Sequence, residues 1–309
     1  MNAKVAIILV NWNGKSDTLE CLESLRLSMA ATQSAISPSV IVVDNGSRDD
    51  SVAAIRREFP HVTVLETGEN LGFTGGNNVG IRHALDEEFD FLFLLNNDTI
   101  VQAGALDKLV EAAQNAPQFG LLTPVMPYFD TPQEIWFGGS RLDLKRATAF
   151  HDNRAVPAPD QEVQEIPWAS GCAMLLPSGV MRQLGGFDDR FFLIWEDVDL
   201  SLRVRAMGLK IGLVPAARIL HKVSRSFGGR SSWGRYYHVR NNLLLARTHC
   251  GRDYPRAARR VLMSSLRDAL STLKNRHREP RNPLLVTYHA WKDHFTARYG
   301  RCSSLRLLP

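Results

Sequence analysis

Residues 91–98, which read Phe-Leu-Phe-Leu-Leu-Asn-Asn-Asp, constrain the fold of this chain more than any other segment. A continuous apolar run of strand length is typical of a strand buried on both faces of a parallel sheet. Asn96, Asn97 and Asp98 then lie at its predicted carboxyl end, where open α/β sheets bind ligands and where a carboxylate suits a divalent cation. A helix cap or an Asx-turn explains the same residues, so this segment alone does not distinguish a ligand site from a structural turn.

Strand and helix patterns alternate through the first hundred residues, which predicts a doubly wound, mostly parallel sheet. Apolar runs predict strands near 4–10, 39–43, 62–66, 91–95, 120–126, 135–139, 172–176 and 210–214. Helical patterns lie near 16–30, 50–58, 77–88 and 103–115. Prolines and charges at 151–165 predict a surface loop.

The charge of the chain is distributed unevenly. Residues 218–309 hold 20 Lys and Arg against four Asp and Glu, whereas residues 1–217 hold 17 against 28. A basic segment of this kind predicts contact with nucleic acid, a membrane surface or a phosphorylated substrate. From Tyr254 onward, apolar residues recur at helical spacing with arginines on the other faces. Such a helix could bind a membrane surface, or pack against its own domain or against a second subunit of a homodimer.

The remaining composition is that of an ordinary globular protein. With 44% hydrophobic residues over 309 positions, the chain can bury a full core. No apolar run approaches the roughly 18 to 20 residues of a membrane span, and the first residues predict a strand rather than a signal peptide. Four widely separated cysteines predict neither a zinc site nor a disulfide framework. We therefore expect a cytoplasmic protein, with any membrane contact at the inner face of the cytoplasmic membrane.

Three segments supply polar groups suited to a nucleotide. Residues 10–14 read Val-Asn-Trp-Asn-Gly, and residues 43–50 read Val-Asp-Asn-Gly-Ser-Arg-Asp-Asp. Turn and helix-cap chemistry explains each of these separately, but together they indicate a nucleotide crevice. Residues 70–80, Asn-Leu-Gly-Phe-Thr-Gly-Gly-Asn-Asn-Val-Gly, form a glycine-rich segment in which Asn77 or Asn78 is expected to cap the next helix. The segment does not match G-x-G-x-x-G, so it does not predict dinucleotide binding.

The order of these motifs resembles that of the family 2 glycosyltransferases, especially their rhamnosyltransferase-like branch, from about residue 4 to about residue 245. The resemblance implies an inverting hexosyltransferase of the A-type glycosyltransferase fold. It implies a catalytic domain at 1–250, with a Rossmann-like nucleotide-sugar half at 1–100 and an acceptor half at 101–250, and a basic helical extension at 251–309. The implied donor is a nucleotide-diphosphate sugar, with dTDP-rhamnose expected. The implied acceptor is a saccharide, free or carried on a polyprenyl diphosphate, in cell-surface polysaccharide synthesis.

The resemblance also assigns roles to individual residues. Contacts to the nucleotide sugar are expected from Asn11, Asn13, Asp44, Asn45, Gly72, Asn77 and Asn97. Contacts to the acceptor are expected from Trp168, Gly171 and Arg240, although Trp168 could equally belong to the core and Arg240 to the surface. The family has Asp-x-Asp where this chain has Asn96, Asn97 and Asp98. Asn96, Asp98 and His221 are therefore expected to hold Mg²⁺ or Mn²⁺.

An acidic cluster at residues 196–199, Glu-Asp-Val-Asp, opens a predicted helix. The helix macrodipole alone favours acidic residues there. Inverting transfer, however, needs one carboxylate to take the proton of the acceptor hydroxyl. The resemblance assigns that role to Asp197, with Glu196 in support. Lys222, Arg225 and the glycines at 228–229 are expected to close over the diphosphate as a lid.

Three other hypotheses remain open at this point. Asn96 in place of the family aspartate suggests a nucleotide-sugar-binding relative that is catalytically weak or inactive. A nucleotidyltransferase would show more basic residues near the first strand than Lys15 alone. A nucleic-acid-binding protein would carry a recognisable motif or a pattern of stacking aromatics in its basic region. The basic region has neither a recognisable nucleic-acid-binding motif nor a pattern of stacking aromatics, so we expect no nucleic-acid partner.

Overall fold

The computed structural model describes residues 2–30, 36–154, 156–223, 231–274 and 281–303. The β-strands in these ranges are β1 (Ala3–Asn11), β2 (Ile36–Asp44), β3 (Thr63–Glu66), β4 (Phe91–Asn96), β5 (Thr99–Val101), β6 (Phe119–Pro127), β7 (Ile135–Phe137), β8 (Ser140–Asp143), β9 (Thr148–His151), β10 (Gln164–Ile166), β11 (Ala173–Pro177) and β12 (Lys210–His221). The α-helices are α1 (Lys15–Ala30), α2 (Ser51–Glu58), α3 (Gly72–Asp86), α4 (Ala105–Asn115), α5 (Ser178–Leu184), α6 (Glu196–Ala206), α7 (Ser232–His249), α8 (Tyr254–Lys274) and α9 (Pro283–Phe295).

Ten strands form one mixed sheet, whose main path has the order β10-β12-β6-β11-β4-β1-β2-β3. β5 pairs with β12 and β7 with β6, beside this path. β1 runs parallel to β2 and to β4, and β2 runs parallel to β3, so the first four strands form the parallel half that the alternating pattern predicts. β11 is antiparallel to β4 and β6 and joins this half to the rest. β8 and β9 form a separate two-stranded sheet.

The core of the parallel half consists of the apolar runs that predicted its strands. Val5, Ile7, Ile8 and Leu9 of β1 are fully buried. Helix α3 packs against β1, and a Cβ on its Gly80 would lie 2.5 Å from Cγ2 of Ile8. Only a glycine therefore permits this close approach of helix and strand.

The glycine-rich segment differs from its prediction. It is not a loop that precedes a helix, because α3 already begins at Gly72. Gly72 has a φ of +76°, a conformation that glycine adopts without strain. Asn77 and Asn78 consequently lie inside the helix and do not cap it.

Strand β12 is longer than predicted and changes its partner along its length. Its first half pairs with β6, and a register shift follows between Val214 and Arg218. The last three residues pair with β5, where His221 lies opposite Thr99. His221 is therefore the final residue of the strand and not part of a loop beyond it.

Contacts between residues divide the described parts of the chain into two compact units. The first contains those of residues 1–141, 151–187 and 200–223, including the ten-stranded sheet. The second contains those of residues 142–150, 188–199 and 224–309, including α7, α8 and α9. This grouping differs from the predicted boundary at residue 250, because α7 and α8 share one apolar core.

Helix α8 confirms the predicted helix after Tyr254, but only part of its apolar surface is exposed. Ala258, Val261 and Ala269 are buried, whereas Leu270 and Leu273 face solvent. Of the three predicted partners of this helix, the structure shows that α8 packs against its own domain. Among the described helices, none combines the length and the apolar character needed to cross a membrane.

Replacing Gly80 by alanine is expected to destabilise the protein, because the new methyl group would collide with Ile8 of β1. Overpacking of this kind costs about 1–3 kcal/mol in the free energy of unfolding. Gly179→Ala in α5 is the matched control, since a Cβ there would meet no atom within 4 Å. It should be neutral or slightly stabilising, by about 0.4–1 kcal/mol. Urea unfolding compares the two variants, and equal effects would contradict this packing.

Candidate functional site

The carboxyl ends of β1 and β2 are joined by a buried amide-carboxylate pair. Asn11 and Asp44 are register partners at the ends of the two strands. Nδ2 of Asn11 donates to Oδ1 of Asp44 at 2.9 Å and to Oγ of Ser47 at 3.1 Å. Its Oδ1 accepts from Oγ1 of Thr18 at 2.8 Å and from the amide of Gly14 at 3.2 Å. The side chain of Asn11 is thus fully buried and bonded on both sides, which makes it a positioning residue.

Asp44 retains more capacity for a ligand than Asn11. Its Oδ1 accepts from Asn11, and its Oδ2 accepts from the amide of Ser47 at 3.0 Å. Each carboxylate oxygen has two lone pairs, so further hydrogen bonds remain open at both atoms. The adjoining turn is closed by Asn13, whose Oδ1 accepts from the amide of Arg48 at 2.7 Å.

Asn45 and Asn97 extend this network to the neighbouring elements. Asn45 accepts from the amide of Leu71 at 2.9 Å and donates to the carbonyl of Gly72 at 3.0 Å, which fixes the start of α3. Asn97 donates to Oγ1 of Thr18 at 2.8 Å. The structure therefore brings Asn11, Asn13, Asp44, Asn45, Gly72 and Asn97 together, as the sequence predicts.

Asn77 was predicted to contact the nucleotide, but it lies outside the hydrogen-bond network of the other predicted residues. Its Nδ2 donates to the carbonyl of Phe73 in its own helix at 2.9 Å, and the side chain is buried. Its neighbour Asn78 exchanges two hydrogen bonds with the backbone of Phe187. These contacts support structural roles within α3 and do not support the predicted nucleotide contact of Asn77.

Asp98 and His221 form a buried pair near the carboxyl end of β4. Nε2 of His221 lies 3.3 Å from Oδ1 of Asp98, and both side chains are less than a tenth exposed. The amide of Lys222 donates to the carbonyl of Asp98 at 2.9 Å, which continues the pairing of β5 and β12. Strand register therefore places the imidazole beside the carboxylate.

Two aromatic side chains that no sequence motif indicates, Trp136 and His151, lie near His221. The ring of Trp136 meets the ring of His221 edge to face, with 4.2 Å between centroids. His151 packs on the same tryptophan, and its Nδ1 donates to the carbonyl of Trp136 at 2.8 Å. Burial lowers the pKa of His151 below its ordinary value. No local pattern in the sequence indicates this position of His151.

The Asp98–His221 pair fits a divalent cation. Ligand atoms that share an ion at bond lengths near 2.1 Å lie about 3 Å apart, close to the observed spacing. Carboxylate and imidazole are both common ligands of transition metals. Asn96 ends β4 with its backbone bonded to Cys172 and Thr99, and its side chain makes no hydrogen bond to Asp98 or His221 within the described residues. No cluster of three or more His, Cys, Asp or Glu side chains able to hold a metal is found in those parts of the chain.

The predicted lid begins with a lysine that has other partners. Nζ of Lys222 lies 2.9 Å from Oδ1 of Asp17 and 2.6 Å from Oε2 of Glu20, both on α1. This ion-paired position does not support a diphosphate contact by Lys222. Arg225 and the glycines at 228–229 lie outside the described residues.

Trp168 and Gly171 lie in the segment that leads into β11, and both are buried. The indole Nε1 of Trp168 donates to the carbonyl of Arg141 at 3.0 Å, and the ring packs on Phe137 and His151. Of the two predicted roles of Trp168, these contacts favour the core role over a sugar-stacking platform.

In the second unit, the acidic cluster opens α6 as predicted, and its three carboxyl groups differ in environment. Asp199 is buried and lies 2.7 Å from Nε2 of His249. Glu196 is buried too, and its Oε2 has no hydrogen-bond partner within the described residues. Burial raises the pKa of Glu196 well above its ordinary value, and the charges of Asp197 and Asp199 raise it further. Asp197 remains partly exposed, and its Oδ1 accepts from the amide of Val198 at 2.8 Å.

The loop that precedes this cluster has a strained backbone. Phe192, Ile194 and Trp195 all have positive φ angles, between 64° and 76°. Such conformations are costly for side chains of this size and persist only where the surroundings impose them. Nδ2 of Asn241 lies within 2.9 Å of the carbonyls of Phe191, Leu193 and Ile194 and holds them in place.

Arg240 binds the same loop as Asn241, and we call these two residues the Arg240–Asn241 clamp. This contact differs from the predicted contact of Arg240 with the acceptor. The guanidinium is fully buried and donates to the carbonyls of Arg190, Phe191 and Gly300 and to Oδ1 of Asn241. It also lies over the ring of Tyr237, 4.9 Å from the centroid. With four hydrogen bonds from its guanidinium made in the interior, Arg240 supports the loop, and the structure does not support acceptor binding by this residue.

Solved structures similar to this chain are glycosyltransferases of the A-type fold. A mannosyltransferase from Pyrobaculum calidifontis, in complex with GDP-mannose and Mn²⁺, aligns with a TM-score of 0.54 at 18% identity, covering 96% of this chain and 84% of that one. GalNAc-T7 with UDP, GalNAc and Mn²⁺ aligns with a TM-score of 0.56 at 17% identity, covering 71% and 43%. These likenesses show that this chain has the same fold.

Related sequences extend the comparison. An N-acetylglucosaminyl-diphospho-decaprenol L-rhamnosyltransferase of Mycobacterium tuberculosis is 30% identical over 237 residues, covering 69% of this chain and 76% of the relative. A low-salt glycan biosynthesis hexosyltransferase of Haloferax volcanii is 24% identical over 229 residues, covering 70% and 66%. The model of the family described as "Glycosyltransferase like family 2" matches residues 3–236. The chain therefore belongs to the family 2 glycosyltransferases and is similar to their rhamnosyltransferases.

Proposed function

We propose that this glycosyltransferase transfers rhamnose, with inversion, from dTDP-rhamnose to a saccharide carried on a polyprenyl diphosphate in cell-surface polysaccharide synthesis. The observation that carries the proposal is the buried Asp98–His221 pair in the unit that also holds the Asn11–Asp44 network. The mycobacterial relative, whose name specifies a rhamnosyl donor group and a decaprenol-diphosphate acceptor, supports the choice of substrates.

Asp44 is the proposed contact to the nucleoside, through an N–H of the base or a hydroxyl of the sugar. Asn11 and Ser47 hold the carboxylate in place and leave lone pairs on both of its oxygens. A preorganised acceptor loses little side-chain entropy when the donor binds. Asn13, Asn45, Gly72 and Asn97 shape the same edge of the sheet.

Asp98 and His221 would hold the divalent ion, and Mn²⁺ is the better candidate because Mg²⁺ prefers oxygen ligands only. When bound, such an ion supplies positive charge that stabilises the departing diphosphate. Asn96 contributes no charge, so the remaining ligands would come from the donor diphosphate and water. Trp136 fixes the orientation of the imidazole ring through its edge-to-face contact.

Asp197 is the proposed base that takes the proton of the acceptor hydroxyl. Burial raises the pKa of Glu196 well above its ordinary value, which disfavours its charged form, and Asp199 is engaged by His249. Among the three, Asp197 is the carboxylate that retains solvent access. The Arg240–Asn241 clamp holds the loop that leads into α6, at whose start Asp197 lies.

The donor-side proposal predicts that Mn²⁺ and the nucleotide bind together. Wild type should gain about 5 °C or more in melting temperature from dTDP plus Mn²⁺ at saturating levels. Asp98→Asn and His221→Ala should each lose most of this gain, whereas Asp86→Asn and His61→Ala, at exposed positions, should keep it. Differential scanning fluorimetry measures the effect. A full gain in both site variants would rule out a metal role for the pair.

The catalytic proposal predicts that Asp197→Asn loses turnover and keeps donor binding. Removal of a general base lowers kcat by about 10²–10⁴-fold. The measurement is transfer from dTDP-rhamnose to a synthetic N-acetylglucosaminyl polyprenyl diphosphate, followed by mass spectrometry. Asp253→Asn, at an exposed position of the second unit, should retain wild-type turnover. If wild type transfers no sugar from any nucleotide donor although it binds one, the chain is an inactive relative.

The protonation state of Glu196 predicts a pH-dependent stability. Its pKa is higher in the folded protein than in the unfolded chain, where it is near 4.5. Wild type therefore loses stability as the pH rises from that value toward the folded pKa, and Glu196→Gln does not. The stability of the variant relative to wild type should grow over this range and then level off. Urea unfolding at stepped pH values measures it, with exposed Glu162→Gln as control, and a pH-independent difference would refute the assignment.

A further inference from the structure

Helix α8 presents two apolar faces with different partners. The buried face consists of small side chains: Ala257, Ala258, Val261, Ser265, Ala269 and Thr272. These pack inside the second unit, and Nε1 of Trp291 on α9 donates to Oγ of Ser265 at 3.1 Å. Small residues allow this close packing, and Leu262 packs against the same core, whereas four other large apolar side chains of α8 lie on another face.

Those larger side chains form a stripe on the solvent side. Met263, Leu270 and Leu273 are between 42% and 50% exposed, and Leu266 between them is half-buried. Steps of three, four and three residues place the four on one face of the helix. An apolar stripe that is left exposed among the described residues is a recognised sign of an interaction surface.

Helix α9 repeats the same arrangement. Leu285, Tyr288 and Phe295 are between 47% and 59% exposed, and Lys292 occupies the remaining position of the three-four-three spacing. Its acidic residue, Asp293, is buried and accepts from the hydroxyl of Tyr236. The exposed face of α9 thus combines apolar groups, an aromatic hydroxyl and a positive charge.

The charges of α8 identify the kind of partner. Five exposed cations accompany the stripe: Arg256, Arg259, Arg260, Arg267 and Lys274. None of them has an ion-pair partner among the described residues. The single acidic residue of α8, Asp268, pairs with Arg235 of α7. A second copy of this chain would bring these cations against one another in a two-fold interface, whereas an anionic lipid surface would complement them.

We infer that the exposed faces of α8 and α9 form a membrane-binding surface for an anionic lipid bilayer. The apolar side chains enter the boundary between headgroups and acyl chains, and the arginines and lysines contact lipid phosphates. Tyr288 suits the same interface, because its ring is apolar and its hydroxyl polar. The inference deepens the proposed function and rests on it in one respect: a polyprenyl-linked acceptor would lie in the same bilayer.

Vesicle co-sedimentation of the full chain tests the surface. Wild type should bind vesicles of phosphatidylglycerol and phosphatidylcholine, bind pure phosphatidylcholine weakly, and release as NaCl increases. The triple variant Met263→Gln, Leu270→Gln, Leu273→Gln should lower the partition coefficient by about tenfold or more, because the apolar stripe is lost. The triple variant Arg259→Gln, Arg260→Gln, Arg267→Gln should do the same through lost charge. Leu27→Gln on α1, which is equally exposed, should bind like wild type.

Three outcomes would overturn the inference: equal binding by wild type and the apolar variant, equal binding to neutral and anionic vesicles, or a wild-type dimer that the apolar variant dissolves in sedimentation velocity. Unchanged thermal unfolding by circular dichroism shows that both triple variants fold. Transfer to a short-chain, water-soluble acceptor separates this inference from the proposed function. Vesicle binding without transfer would refute the function alone, and transfer without vesicle binding would refute the surface alone.

Discussion

The parallel, in-register pairing of β1 with β2 and β4 is the constraint on which the proposed donor site depends. It places Asn11 opposite Asp44 and Val10 opposite Asn96, so three strands end at one edge of the sheet. The side chains there can then bond to one another instead of to water. A shift of one residue would turn Asn11 and Asp44 to opposite faces and break the network. The buried apolar side chains set the strand register, and the register determines which polar side chains meet at this edge of the sheet.

The acidic cluster depends on a different kind of constraint. Three left-handed residues before α6 would relax if nothing held them, and buried polar groups of α7 supply the hold. A fully buried arginine and asparagine are expensive unless they are satisfied, and here carbonyls of the loop satisfy them. The loop before α6 keeps its strained backbone because Arg240 and Asn241 bind it, and these two side chains are satisfied because the loop carbonyls accept from them. The position of Asp197, at the start of α6, therefore depends on the packing of α7.

The sequence predicts what local patterns determine. Apolar runs that end in short polar residues predicted the strands of the parallel half, and the acidic run predicted the start of α6. Partners distant in sequence could not be predicted in this way. Pro215 interrupts the apolar pattern of β12, and pairing with β5, together with a bridge from His221 to Tyr128, extends the strand to His221. Nothing local reveals that Arg240 is buried, because the carbonyls that bind it belong to residues about fifty or more positions away. Arg240 was expected to contact the acceptor, but in the structure its guanidinium is fully buried.

We propose that Asp98 and His221 hold a metal ion at the site of the donor diphosphate. Anomalous diffraction at the manganese edge, from crystals grown with dTDP and Mn²⁺, would locate this ion. We expect a peak at about 2.0–2.3 Å from the carboxylate of Asp98 and from Nε2 of His221, in contact with the diphosphate. A nucleotide bound with manganese that touches neither residue would contradict it.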